Sequence, residues 1–144
     1  MLDSKYSNCF EEPSPDNLDF RKLDAKLEEL SKYNTPHIEV ARLMFDTLRE
    51  TFGDDIIIKC SLVGSVASGA YTEGSDIDGA IYVSDLARDK IPEIKSFQQK
   101  LFNYVVSVIG RNKIRSCDFG SNIYTQSEAD QGHRTGGGKR IEWS

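Results

Sequence analysis

Between Asp55 and Asp78 the chain leaves few architectures open. The run Asp55-Ile56-Ile57-Ile58-Lys59-Cys60-Ser61-Leu62-Val63 is apolar and rich in β-branched residues, and it stops at Gly64-Ser65. Such a run reads as a strand delivered directly into a turn. Further on, Ser75 to Val83 (SDIDGAIYV) sets Ile77 against Asp76 and Asp78, the alternation of a second strand with one polar face. The connection between them is about ten residues long, enough for a short helix and a turn through Gly74. Two residues apart on a strand, Asp76 and Asp78 point to the same side with Cα atoms ~6.5 Å apart, so their oxygens can converge on one cation. Magnesium takes hard oxygen ligands at about 2.0–2.1 Å and completes its shell with water and phosphate oxygens. The glycine turn supplies the complementary half. If a short helix starts near Ser65, its free N–H groups attract an anion, and glycine lets a phosphate approach the backbone closely.

The flanking sequence supplies the helices. Phe20, Leu23, Leu27 and Leu30 recur at helical spacing, which predicts an amphipathic helix over 17–33. Asn34-Thr35-Pro36 breaks it; Thr35 is placed to cap a second helix and Pro36 to occupy its first turn. That helix would bury Ile38, Ala41, Phe45, Leu48 and Phe52 and stop at Gly53. Pro92 opens a third, with Phe97, Leu101 and Tyr104 on its packing side and Gly110 as its stop. A third strand is expected over 113–125 and a short fourth over 140–143, joined by a flexible loop that ends in three glycines at 136–138. The expected fold class is α+β, a small mixed β-sheet with helices packed on one face. The division expected is a flexible arm over 1–16, where Pro13 and Pro15 interrupt a stretch with few core formers, and a single domain over 17–144. Within it, 17–53 is the helical part and 54–144 the α/β core.

At 144 residues the chain has room for one core. Its formal net charge is -5, and residues 1–55 hold 7 Lys and Arg against 13 Asp and Glu. Gripping a long nucleic acid takes several cationic contacts at once, so such a partner is not expected. Cys9, Cys60 and Cys117 are far apart and lack metal-ligand spacing, which reads as free thiols. No apolar run approaches the ~20 residues of a membrane span, and the first ten residues lack the pattern of a signal peptide, so a cytoplasmic location is the expectation. Gly64 and Gly69 are spaced like P-loop glycines, but Ala70-Tyr71 stands where Lys-Ser/Thr is required. A calcium loop is excluded because Gly79 falls too early and Ala87 replaces the closing Glu.

The segment Val63-Gly64-Ser65-Val66-Ala67 with Gly69, followed by Gly74-Ser75-Asp76-Ile77-Asp78, resembles the polymerase-β-like nucleotidyltransferase superfamily. It is similar to the minimal nucleotidyltransferases of prokaryotic toxin–antitoxin pairs and to the head of archaeal-type CCA-adding enzymes. The resemblance implies a palm-like nucleotidyltransferase fold and transfer of a nucleoside monophosphate from a triphosphate, with ATP the first choice, to an acceptor hydroxyl with release of pyrophosphate. By the same resemblance Gly64 and Ser65 would hold the triphosphate, and Asp76 and Asp78 would bind Mg²⁺. A third carboxylate, acting as metal ligand and base, is expected on a later strand. Asp118 is the first choice, with Cys117 and Phe119 facing the other way, and Glu142 is its rival. Two departures from the pattern are Gly79, where an apolar residue usually follows, and Ser68, where a basic one does. His37 and His133 read as surface residues, and Lys139 and Arg140 as either phosphate contacts or solubilising charge. Two other readings are an antitoxin-type module that binds a small helical partner protein and a nucleotide-binding pseudoenzyme.

Overall fold

The computed structural model describes residues 19–130 and 139–144. The arm over 1–16, Cys9, His133 and the loop glycines at 136–138 lie outside them. The first helical stretch is shorter than its periodicity suggests. A 3-10 turn at Arg21–Leu23 leads into α1 (Asp24–Leu30), and Leu23, Leu27 and Leu30 face the core. Helix α2 (His37–Phe52) starts one residue later than the sequence places it. Pro36 occupies the N-cap, no side chain caps the helix, and the first ladder bond runs from the Val40 N–H to the Pro36 carbonyl at 2.9 Å. Thr35 is therefore not the cap. The buried stripe of α2 is Val40, Ala41, Met44, Phe45 and Leu48, with Ile38 and Phe52 only partly covered. Gly53, at φ +101°, ends the helix in a conformation open to glycine.

The α/β part runs β1 (Ile57–Val63), α3 (Gly64–Ser68), β2 (Asp78–Val83), α4 (Ile91–Ile109), β3 (Ile123–Thr125), α5 (Gln126–Asp130) and β4 (Ile141–Trp143). Pro92 sits in the first turn of α4 and Gly110 closes it, as expected from the sequence. The strands form one mixed sheet in the order β3-β2-β1-β4. β1 is antiparallel to both β2 and β4, whereas β2 and β3 run parallel. A parallel pair needs a long crossover, which the α4 segment provides. Cys60, Leu62, Ile77 and Ile81 join Leu27, Met44, Ile94 and Leu101 in one apolar core, so the helices cover one face of the sheet. Along each strand the residues between them face the other way; register aligns Val63 with Asp78 and Ser61 with both Ala80 and Glu142. No helix of the described residues is long and apolar enough to cross a membrane.

Gly79 is a packing requirement. A Cβ on it would lie 2.4 Å from the Ser61 carbonyl oxygen, 2.8 Å from the Phe119 ring and 3.3 Å from the Leu62 Cα. Phe119 is fully buried and fills the space that a side chain would otherwise take. Because two of the three obstructing atoms belong to backbone, Gly79→Ala has no cheap relaxation and should destabilise the fold by about 2–3 kcal/mol or more. Chemical denaturation checks this, and a variant as stable as the parent would show that the strands have room to part.

Candidate active site

The site forms where β1 ends. Val63 is extended, Gly64 turns at φ +70°, and α3 begins immediately with no side chain capping its first N–H groups. Pairing of Val63 with Asp78 brings the start of β2 against that turn. The positive φ of Gly64 favours glycine, and a Cβ there would sit 2.9 Å from Asp78 Oδ2 and displace that carboxylate oxygen. Ser65 is half-buried beside it. Its carbonyl accepts from the Ala70 N–H at 2.9 Å and from Ser68 Oγ at 3.2 Å, closing the short helix.

Asp76 and Asp78 do not share one strand. The ladder begins at Asp78, and Ile77 makes only a single parallel bridge to Cys117, leaving Asp76 on the preceding loop. Ile77 is nevertheless fully buried, while both aspartates remain partly exposed. Burial pushes the Asp78 carboxyl above its ordinary pKa, and the nearby charge of Asp76 adds to the shift. Among the described residues the repulsion has one direct counterweight on the Asp76 side: Arg115 Nε lies 3.4 Å from Asp76 Oδ1. That guanidinium is 75% exposed, so the pair is weak in water. Sequence reasoning did not single out Arg115, because its proximity to Asp76 comes from two loops far apart in the chain.

Asp118 lies next to these groups but not in a strand. Only Ile123–Thr125 forms β3, and Asp118 instead precedes a 3-10 turn at Phe119–Ser121. Its own side chain breaks the ladder. Oδ1 accepts from the Gly79 N–H at 2.8 Å, while its carbonyl accepts from the Ser121 N–H at 3.0 Å and from Asn122 Nδ2 at 3.2 Å. Burial raises the Asp118 pKa; the Gly79 bond opposes that and the charge of Asp78 adds to it. Glu142 is one strand further away, on β4 opposite Ser61. Its Oε2 accepts from Ser61 Oγ at 3.4 Å and lies 3.9 Å from Lys59 Nζ. Among the described residues no three His, Cys, Asp or Glu side chains gather closely enough to hold a metal ion by themselves. Lys139 is exposed, and Arg140 Nη1 lies 3.5 Å from Ser61 Oγ.

His37 is fully buried, against the surface position expected from the sequence. The reason is non-local: the loop carrying Asp76 folds over the start of α2. His37 Nε2 lies 3.0 Å from the Ser75 carbonyl oxygen, and the ring packs on Tyr71 with centroids 5.0 Å apart. A carbonyl can only accept, so Nε2 carries the proton. Burial lowers the His37 pKa, which favours the neutral ring.

A family model described as a nucleotidyltransferase domain matches residues 42–129, more than half of the chain. That span covers the glycine turn, Asp76, Asp78 and Asp118, and leaves His37 and Glu142 outside. No curated protein and no solved structure matches the chain.

The raised pKa of Asp78 has a measurable consequence. Its folded-state value lies above its unfolded one, so the folded chain binds more protons in the interval between them. Stability therefore falls as pH rises through that interval, and the penalty is present in full above it. Asp78→Asn carries no charge at any pH and should melt higher than the parent at pH 7, with the advantage shrinking as the pH is lowered through the interval. A variant that melts lower than the parent at pH 7 would contradict this electrostatic picture.

Proposed function

The chain belongs to the nucleotidyltransferase domain family, and we propose that it moves a nucleoside monophosphate from a nucleoside triphosphate, with ATP the first choice, to an acceptor hydroxyl, releasing pyrophosphate with the help of Mg²⁺. The observation that carries the reading is the contact between its two halves. The glycine turn abuts the Asp78 carboxylate so closely that one Cβ would fill the gap. A phosphate at the turn and a cation on the aspartates would therefore be neighbours.

The donor set suits magnesium. Asp76 and Asp78 offer hard oxygens; burial first, and the charge of Asp76 after it, raise the Asp78 pKa, and a cation relieves the repulsion between them. Asp76 and Asp78 would hold the ion, and the remaining positions in its shell fall to water and phosphate oxygens. When bound, Mg²⁺ supplies positive charge against the reacting phosphate and the departing pyrophosphate. The Gly64-Ser65 backbone and the Ser65 hydroxyl orient the triphosphate. Asp118, made more basic by burial and by Asp78, accepts the proton of the acceptor hydroxyl at a carboxylate oxygen.

A second reading has its own support. Asp118 already spends one oxygen on the Gly79 N–H, and no three-ligand group exists among the described residues. Both favour a domain that binds a nucleotide without turning it over.

Incubation with α-labelled triphosphates, Mg²⁺ and cell extract, followed by assay of pyrophosphate and of the labelled fraction, separates the two. Asp76→Asn and Asp78→Asn should each lower turnover about a thousandfold, the equivalent of losing several kcal/mol of charge stabilisation. Unchanged turnover in either variant refutes the assignment. Magnesium-dependent triphosphate binding by calorimetry, with no pyrophosphate released to any acceptor, establishes the non-catalytic reading instead. For the third carboxylate, Asp118→Asn should cost at least tenfold more activity than Glu142→Gln; the reverse order would move that role to Glu142.

A further inference from the structure

His37 is a fully buried ionisable side chain beside the proposed site, and the carboxylate chemistry gives it no part. It has no exposed surface, and among the described residues its Nδ1 makes no hydrogen bond of normal geometry, although the Thr35 and Lys113 backbones lie close to the ring. A buried polar atom left unpaired costs stability, and an aliphatic or aromatic side chain in its place would avoid that cost. What the imidazole offers that they do not is a fixed N–H donor.

The donor is aimed at the chain that carries Asp76. Nε2–H donates to the Ser75 carbonyl, the oxygen of the peptide that joins Ser75 to Asp76. Backbone oxygens of Lys113 and Thr35 also act on the ring. Three segments therefore meet at one side chain: the entry to α2, the loop that carries Asp76, and the loop that leads to Asp118. The last two are joined independently, since the Gly74 N–H donates to the Lys113 carbonyl at 2.7 Å and the Ile77 N–H to the Ser116 carbonyl at 2.9 Å. Lys113 Nζ reaches back to the Ser31 carbonyl at the end of α1, tying the same loop to the helical part. Tyr71 packs on the imidazole from the Asp76 loop itself. Asp76 lies outside the β2 ladder; pairing fixes its neighbour Ile77, which bridges to Cys117, and leaves the Ser75–Asp76 peptide to other contacts. The bond from His37 is the contact that α2 makes with that peptide.

We propose that His37 is a positioning residue for Asp76, holding the Ser75–Asp76 peptide so that the carboxylate stays beside Asp78 for cation binding. This rests on the reading of Asp76 and Asp78 as the cation ligands. Groups that orient a ligand from behind govern affinity as well as the ligand itself does, and their loss typically costs 10–100-fold.

The test uses Mn²⁺ alone as the probe, with the full chain and no nucleotide. His37→Phe keeps a ring for Tyr71 and removes the donor; His37→Gln keeps an N–H donor without the ring. In titrations followed by the Mn²⁺ electron spin resonance signal, His37→Phe should bind about tenfold or more weakly than the parent, while His37→Gln recovers most of the loss. Melting curves show whether both variants are folded. A folded His37→Phe with parental affinity, or a folded His37→Gln as weak as His37→Phe, overturns the positioning role. If the parent binds no Mn²⁺, or Asp76→Asn binds it as the parent does, the ligand reading itself has failed, a result distinct from either of those. Should the variants not fold, nitrogen NMR of the parent decides: the Nε2–H tautomer is expected, and a neutral ring with its proton on Nδ1 overturns the proposal.

Discussion

The site depends on a seam of hydrogen bonds between two loops that are not regular strands. Gly74 donates to Lys113, Ile77 to Ser116, and Asp118 back to Ile77, and the Asp118 carboxylate then takes the Gly79 N–H. Each such bond is worth only about 1 kcal/mol net, but together they carry the approach to β2 before its ladder begins at Asp78. Two carboxylates that repel each other have to be held by something outside themselves, and this seam does it. Phe119 completes the arrangement by packing into the space left by Gly79. The glycine that departs from the usual sequence pattern is thus the place where the following loop is locked onto the strand.

Much of this was legible because it is local. The β-branched run into Gly64 is a strand, and Gly53 and Gly110 stop α2 and α4 at the residues where the sequence puts them. The opposed faces of Ile77 and Asp78 follow from alternation. The α+β class and the single helix-covered face follow from the order of elements. What the sequence left hidden is set by contacts between distant segments. The burial of His37 needs the Asp76 loop above it, and the proximity of Arg115 to Asp76 spans 39 positions. The sequence places Asp118 in a strand after the long helix, with Cys117 and Phe119 facing the other way. An aspartate that bonds to a backbone N–H on the next strand ends regular pairing, and no pattern in its own neighbourhood announces that. Thr35 failed as a cap for a smaller reason: Pro36 already occupies the boundary position, and helical geometry starts after it.

The electrostatics of the site are unbalanced by construction. Asp78 and Asp118 both have raised pKa values with burial as the first cause, and in each the charge of a neighbouring aspartate adds to it. Among the described residues Arg115 pairs with Asp76 and is mostly in solvent. The fold therefore concentrates negative charge at one end of the sheet and, among the described residues, leaves it largely uncompensated, at some cost in stability above the titration range of these groups. That cost is typical of sites whose charge is completed by something that binds.

The contact of Gly64 with Asp78 has a consequence for how the site can change. A single hydrogen atom is all that position 64 places between the turn and the carboxylate. A side chain there would push the tip of Asp78 aside, while the backbone of the two elements could stay where it is. The identity of residue 64 thereby sets where a carboxylate oxygen on the next strand can rest.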